Sequence, residues 1–133
     1  MNTFEYGLQN IRLPIVSVKI EDNILCFILD TGSTCSLIDR NVVEYFKDIA
    51  KPIGEYFING IDGTKHKVDV VHLPFIINEK EYQQDFCVKP LHDAFKDIEN
   101  ECGLQVHGLL GTDFLMENKC FIDFKEMILN IGG

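Results

Sequence analysis

Ile24-Leu25-Cys26-Phe27-Ile28-Leu29-Asp30-Thr31-Gly32-Ser33 is the stretch on which the reading of this chain turns. The apolar run Ile24 to Leu29 has the length and side-chain type of a buried strand, and it ends without a break at Asp30. A carboxylate is thereby carried straight into a tight turn. Gly32, with no Cβ, lets the backbone turn and approach closely, while Thr31 and Ser33 offer hydroxyls that can hold a carboxylate in one orientation.

On the N-terminal side, Val16, Val18 and Ile20 alternate with Ser17 and Lys19, and Glu21, Asp22 and Asn23 supply turn chemistry. The spacing predicts a β-hairpin feeding the Asp30 turn. On the C-terminal side, Asp39 is placed to cap a helix whose Val42, Val43, Phe46 and Ile49 fall at helical spacing, with Pro52 and Gly54 as its stop. Tyr56 to Ile58 and Lys67 to Val71 read as two strands around a glycine-bearing tip, Asn59 to Gly63. Phe75 to Ile77 and Phe86 to Val88 read as a further strand pair around the polar segment Asn78 to Asp85. Leu91, Phe95, Ile98 and Cys102 recur as a helical core stripe closed by Gly103. Val106 to Gly111 is a short apolar strand, Thr112 or Asp113 can cap a brief helix through Met116, and Cys120 to Phe124 with Met127 to Ile131 reads as a final hairpin. The expected fold class is mainly β, with two or three short helices.

At 133 residues the chain is expected to form one domain, spanning residues 1–133. Twelve Lys and Arg against 21 Asp and Glu leave a net charge of −9, the wrong sign for a phosphate-binding surface, so no nucleic-acid partner is expected. No stretch approaches the roughly 18 apolar residues of a membrane span, and Met1 to Asn10 lacks a basic segment followed by an apolar one. A cytoplasmic protein with no membrane partner is the expectation. The cysteines, Cys26, Cys35, Cys87, Cys102 and Cys120, are odd in number, scattered and without a CxxC pair, which points to reduced thiols. His66, His72, His92 and His107 show no metal-ligand spacing, so neither a metal nor a cofactor is expected.

A carboxylate in a turn can hydrolyse a peptide bond without a metal if a second one stands about 3 Å away, because like charges that close share one proton. The ionised member then takes a proton from a water between them, and the protonated member hydrogen-bonds the scissile carbonyl. A second copy of the turn is missing from this sequence. Asp62-Gly63-Thr64 and the reversed Gly111-Thr112-Asp113 do not follow a buried apolar strand, and Asp113 before Phe114 and Leu115 reads better as a helix cap. The chain carries half a site, so the other carboxylate would be Asp30 of a second copy, brought to a two-fold axis by a homodimer.

Two motifs together give a family resemblance: Phe27-Ile28-Leu29-Asp30-Thr31-Gly32-Ser33, and Gly108-Leu109-Leu110-Gly111-Thr112-Asp113-Phe114-Leu115. With a glycine-tipped hairpin between them, the chain resembles the retropepsins, the single-domain retroviral-type aspartic peptidases, from about Leu13 to Ile131. Its longer span between motifs is similar to that of cellular and bacterial retropepsin-like proteins. The resemblance implies a closed, barrel-like β fold in which Leu109 to Gly111 pass behind the catalytic turn. It implies Asp30 as catalytic aspartate, Thr31 as the residue locking two turns across the dimer axis, and Gly32 as a substrate backbone contact. Gly60, Ile61, Asp62 and Gly63 would form a flap tip over a peptide or protein substrate, with Leu109 as pocket wall and Leu110 as its support. Ser33 joins the substrate-binding set, and its hydroxyl is expected to donate to the outer oxygen of Asp30, favouring the ionised form and an acidic pH optimum. Met127 to Ile131 would help close the dimer.

Retroviral members often pair an acid just after the turn with an Arg after the later glycine; here those positions are Thr34 and Thr112. Removing both partners strands no buried charge. The expected activity is aspartic endopeptidase. The alternative is a non-catalytic peptide-binding or dimerisation module that keeps the fold.

Overall fold

The strands wrap into a ring because each buries one face and offers its backbone edges to neighbours that are mostly distant in sequence. The computed structural model describes residues 3–59 and 62–132. Helix α1 (Thr3–Ile11) leads into the hairpin β1 (Ile15–Ile20) and β2 (Asn23–Leu29). Then come β3 (Leu37–Asp39), α2 (Arg40–Tyr45), and the long strands β4 (Lys51–Asn59), β5 (Lys65–Ile77) and β6 (Lys80–Lys89). Helix α3 (Lys96–Cys102), β7 (Val106–Leu110), α4 (Thr112–Glu117) and the hairpin β8 (Phe121–Asp123) and β9 (Ile128–Asn130) complete the order.

Sheet order β1-β2-β7-β3-β6-β5 is closed by a β1–β5 pairing at Lys19 and Ile76, giving a six-strand barrel, while β4 hangs from β5 alone. Inside it sit Phe27, Ile38, Leu73, Phe86, Leu110 and Phe114, all fully buried. Phe75 meets the rings of Tyr82, Phe86 and Phe114 with centroids 5.8–6.2 Å apart, the separation at which tilted aromatic pairs are favourable. The mainly β, closed-barrel expectation holds.

Several local expectations change. Ile24 to Leu29 is a strand with one buried face: Leu25, Phe27 and Leu29 point into the barrel, whereas Ile24 is 72% exposed. The period-2 alternation of strand side chains makes that outcome obligatory once only one side faces a core. Helix α2 ends at Tyr45, and Pro52 and Gly54 lie in β4, flanking a register shift against β5. Pro52 is tolerated there because β4 is an edge strand. Asn78 to Asp85 is no polar connection. Asn78 and Glu79, both with positive φ (50° and 68°), form a two-residue turn, and β6 starts at Lys80, so Phe75 pairs with Tyr82 and Phe86 with Val71.

Helix α3 starts at Lys96 and buries none of its residues fully, so the Leu91-to-Cys102 stripe is not core beyond Leu91 itself. Its Gly103 stop is as expected, with φ 79° and its N–H donating to the Glu99 carbonyl. There are four short helices among the described residues rather than two or three. The unanticipated one, α1, packs Phe4 and Gly7 against β1 and is tied to α3 by the Tyr6 hydroxyl donating to the Cys102 carbonyl at 2.7 Å.

Candidate active site

Asp30 leaves β2 where that strand runs parallel to β7, with Ile28 beside Leu109 and Leu29 beside Leu110. The Asp30 N–H donates to the Leu110 carbonyl at 2.9 Å, so the carboxylate's own backbone is the last rung of the parallel ladder. The side chain is half-buried, and its Oδ1 accepts the Gly32 N–H at 2.8 Å. A Cβ on Gly32 would stand 3.1 Å from that oxygen, so the glycine serves close approach rather than an unusual φ. Thr31 and Gly32 are exposed at the apex.

Ser33 does not do what its sequence position suggested. Its hydroxyl donates to the Cys35 carbonyl at 2.7 Å, within the same turn, rather than to Asp30. Its carbonyl accepts both the N–H and the hydroxyl of Thr112, at 2.8 and 3.2 Å. Thr112 therefore ties the strand behind the turn to the turn itself.

Behind these contacts lies a clamp that sequence reading missed. Asp113 is not a helix cap; Gly111 holds that position. Its carboxylate accepts the N–H and hydroxyl of Ser36 (2.9 and 2.8 Å), the Gln84 amide (3.0 Å) and its neighbour's N–H from Phe114 (2.8 Å). The fully buried Ser36 hydroxyl also accepts the Gly111 N–H at 3.0 Å. Asp39 does occupy the N-cap position of α2, as expected, but its side chain makes no capping bond; its Oδ1 instead accepts the Leu91 N–H at 2.8 Å. Both carboxylates are thus committed to structural hydrogen bonds, and those of Asp113 make it a poor candidate for a second catalytic acid. The available signal was a lone Ser and a lone Asp, each embedded among apolar residues destined for burial.

Gly108 and Gly111 permit the crossing of β7 behind the turn. A Cβ at Gly108 would collide with the Leu37 carbonyl and reach Phe27 at 2.9 Å; one at Gly111 would stand 2.6 Å from the Ser33 carbonyl and 2.9 Å from that of Cys35. Leu109 and Leu110 are both buried, Leu110 completely. Asp62 and Gly63 lie at the end of the β4–β5 hairpin, where Asp62 Oδ1 accepts the N–H and hydroxyl of Thr64 (3.0 and 2.7 Å) and Gly63 has φ 84°. Those bonds hold the Asp62 carboxyl below its ordinary range. Gly60 and Ile61 lie outside the described residues. A second apolar cluster, separate from the barrel core, joins Val68 and Val70 of β5 to Cys87 of β6, with Cys35 and Leu37 packed against it. Tyr56 pairs with Val68 across β4 and β5 and shares its face.

Among the described residues no group of three or more His, Cys, Asp or Glu side chains is placed to hold a metal ion, and no helix is long and apolar enough to cross a membrane.

No protein-family model and no curated protein matches the chain. Solved structures do. The retroviral protease-like domain of Ddi1 from Leishmania major is 15% identical with a TM-score of 0.57, over 88% of this chain and 84% of that one. Simian foamy virus (mac) protease is 18% identical with a TM-score of 0.54, over 77% and 91%. EIAV protease, solved with the inhibitor HBY-793, is 18% identical with a TM-score of 0.57, over 80% and 88%. The fold is that of retroviral protease-like domains.

Proposed function

We propose that this chain is one half of a homodimeric aspartic endopeptidase of retropepsin type, a single-domain cytoplasmic member akin to the cellular and bacterial ones. The observation that carries the reading is Asp30, whose backbone is fixed by Leu110 while Thr112 grips the next turn of chain through Ser33. Such fixing is what a carboxylate needs when it must face its symmetry mate at about 3 Å. The pair would share a proton; the ionised Asp30 would deprotonate water, and the protonated Asp30 of the second copy would polarise the scissile carbonyl. Thr31, exposed at the apex beside the acid, would meet its counterpart across the axis.

An extended peptide would lie along Gly32 and Ser33, under the tip formed by Gly60, Ile61, Asp62 and Gly63, with Leu109 and Leu110 behind, held by strand-type backbone bonds. The hairpin β8–β9 supports dimer closure: it buries Ile122 and Leu129 against the barrel and leaves Phe121 and Ile128 exposed on its other face. Sedimentation of the purified chain beside peptide-library cleavage at acidic and neutral pH tests the reading. Dimers whose cleavage disappears in Asp30→Asn are expected. Dimers that bind peptides without cutting them would make the protein a non-catalytic module.

A further inference from the structure

Cys35, in the bend before β3, and Cys87, in β6, are far apart in sequence yet meet beside the turn. In the parallel pairing of β3 with β6, Leu37 stands opposite Cys87, and Cys35, two residues before it, packs with Leu37 against the cluster that holds Cys87. The Cys87 N–H donates to the Ser36 carbonyl at 3.0 Å, which holds the segment carrying Cys35 one hydrogen bond away from Cys87. Both side chains pack in the apolar cluster of Val68 and Val70. The thiols are reduced in this structure. They differ in access: Cys87 is only 4% exposed, whereas Cys35 is partly open to solvent. Burial, with the Cys35 thiol as neighbour and hydrogen-bond partner, pushes the Cys87 thiol up to about 11, so it stays protonated at neutral pH.

We infer that Cys35 and Cys87 form a reversible modification site, in which a hydroperoxide oxidises Cys35 and Cys87 then closes a disulfide that deforms the Asp30 turn. In the first step the Cys35 thiol attacks the peroxide, giving Cys35 sulfenic acid and one molecule of water or alcohol. In the second the Cys87 sulfur displaces the sulfenic oxygen as water, its thiol proton leaving with it; two thiols are oxidised and one peroxide is reduced. Exposure sets the order, since Cys87 is shielded from the oxidant. The bond would form where the chain is least free to yield: the Cys35 carbonyl accepts the Ser33 hydroxyl and abuts Gly111. Drawing Cys35 toward β6 therefore pulls on the turn and narrows the apolar cluster. The chemical site stands on geometry alone; its effect on cleavage rests on the proposed peptidase reading.

The test treats the whole chain with hydrogen peroxide, alkylates the remaining thiols, and maps peptides by mass spectrometry. A Cys35–Cys87 linked peptide, reversed by dithiothreitol and missing in Cys35→Ser, is expected, with Cys87→Ser letting Cys35 run on to sulfinic acid. Cys35 and Cys87 both alkylated, a Cys26–Cys102 bond instead, or Cys35 reaching sulfinic acid in the parent overturns the site. In parallel, peptide cleavage should fall by about tenfold or more on oxidation and return on reduction, because small displacements of a catalytic group are that costly. Cys35→Ser should not respond. Unchanged cleavage in a fully disulfide-linked sample overturns the switch, whereas a chain inactive even when reduced sinks the peptidase reading and leaves the disulfide to be judged by its peptides.

Discussion

The turn at Asp30 and the β4–β5 hairpin are built on opposite principles. Around the turn, backbone groups of residues 30, 33 and 36 are each bonded to the 110–113 segment, and the glycines at 108 and 111 leave no room for slack. In the hairpin, every residue from Lys51 to Phe57 is exposed, β4 pairs with one neighbour only, and Phe57 stands 70% open. Segments with few buried apolar contacts open at the lowest free energy. The difference teaches that this fold cross-ties the Asp30 turn from two segments and leaves β4 attached along one edge only; on the proposed peptidase reading the first would hold the acid still and the second would admit a substrate.

The sharpest way to break the comparison is to place the same methyl group in both regions. Gly108→Ala forces a Cβ against the Leu37 backbone and Gly111→Ala against that of Ser33, neither of which can swing aside. Overpacking of that kind should cost about 3 kcal/mol or more, read as a drop in urea midpoint or a failure to fold. Gly63→Ala meets nothing within 4 Å and suffers only from its φ of 84°, so about 1 kcal/mol is expected. Similar losses at the two sites would show that the turn is not the rigid member.

Next in size is the carboxylate clamp. Asp113→Ala leaves the buried Ser36 hydroxyl and N–H without their acceptor, a loss of about 2–3 kcal/mol by the usual cost of stranded buried donors. Ser36→Ala should cost somewhat less, and the double mutant less than the sum, because both remove one network. Asp62→Ala breaks equivalent-looking bonds at the exposed hairpin tip and should leave the midpoint unchanged. Tyr56→Ala separates stability from function. Its ring is exposed on the face shared with Val68, so the denaturation midpoint should barely move, and if the hairpin covers a peptide as proposed, cleavage should weaken mainly through KM.

How much of this was legible beforehand depends on whether a residue's partner is local. The Asp30 turn, the strand behind it, the Gly103 stop and the terminal hairpin are written in short patterns, and each is found where those patterns put it. Barrel closure is not local: it fixes which face of Ile24 to Leu29 is buried, and periodicity alone could not say that Ile24 would be left outside. The strand pair around Asn78 is legible, but its tight turn and the early start of β6 are not, because a type I′ turn written Asn-Glu lacks the usual glycine. Sequence spacing does not show that the Ser33 carbonyl bonds Thr112 or that the Asp113 carboxylate bonds Ser36 and Gln84, each pair lying far apart along the chain. Polar side chains at a crossing of strands choose their partners after the fold has formed.

The smallest expected effect sets one histidine from each region against the other. His107, half-buried on β7, has its proton affinity lowered by burial, with Asp39 and Glu99 opposing and His92 assisting. Its folded value is below the unfolded one, which is about 6.5, so its contribution is intact above that pH and declines as pH falls from there. His72, on β5 beside the hairpin's base, is raised, first by its bond to Asp85 at 2.6 Å and then by Gln83, against slight burial and Lys51. Its contribution is complete below about pH 6.5 and is lost as pH climbs through the raised folded value. Urea midpoints from pH 5 to 8 should therefore show His107→Gln flattening the acid side and His72→Gln the neutral-to-alkaline side. His72 is exposed enough for solvent to screen much of its pair with Asp85, so its slope should be the shallower. A steeper response at His72 than at His107 would mean that the hairpin sheet, not the parallel ladder behind Asp30, is the more tightly coupled to folding.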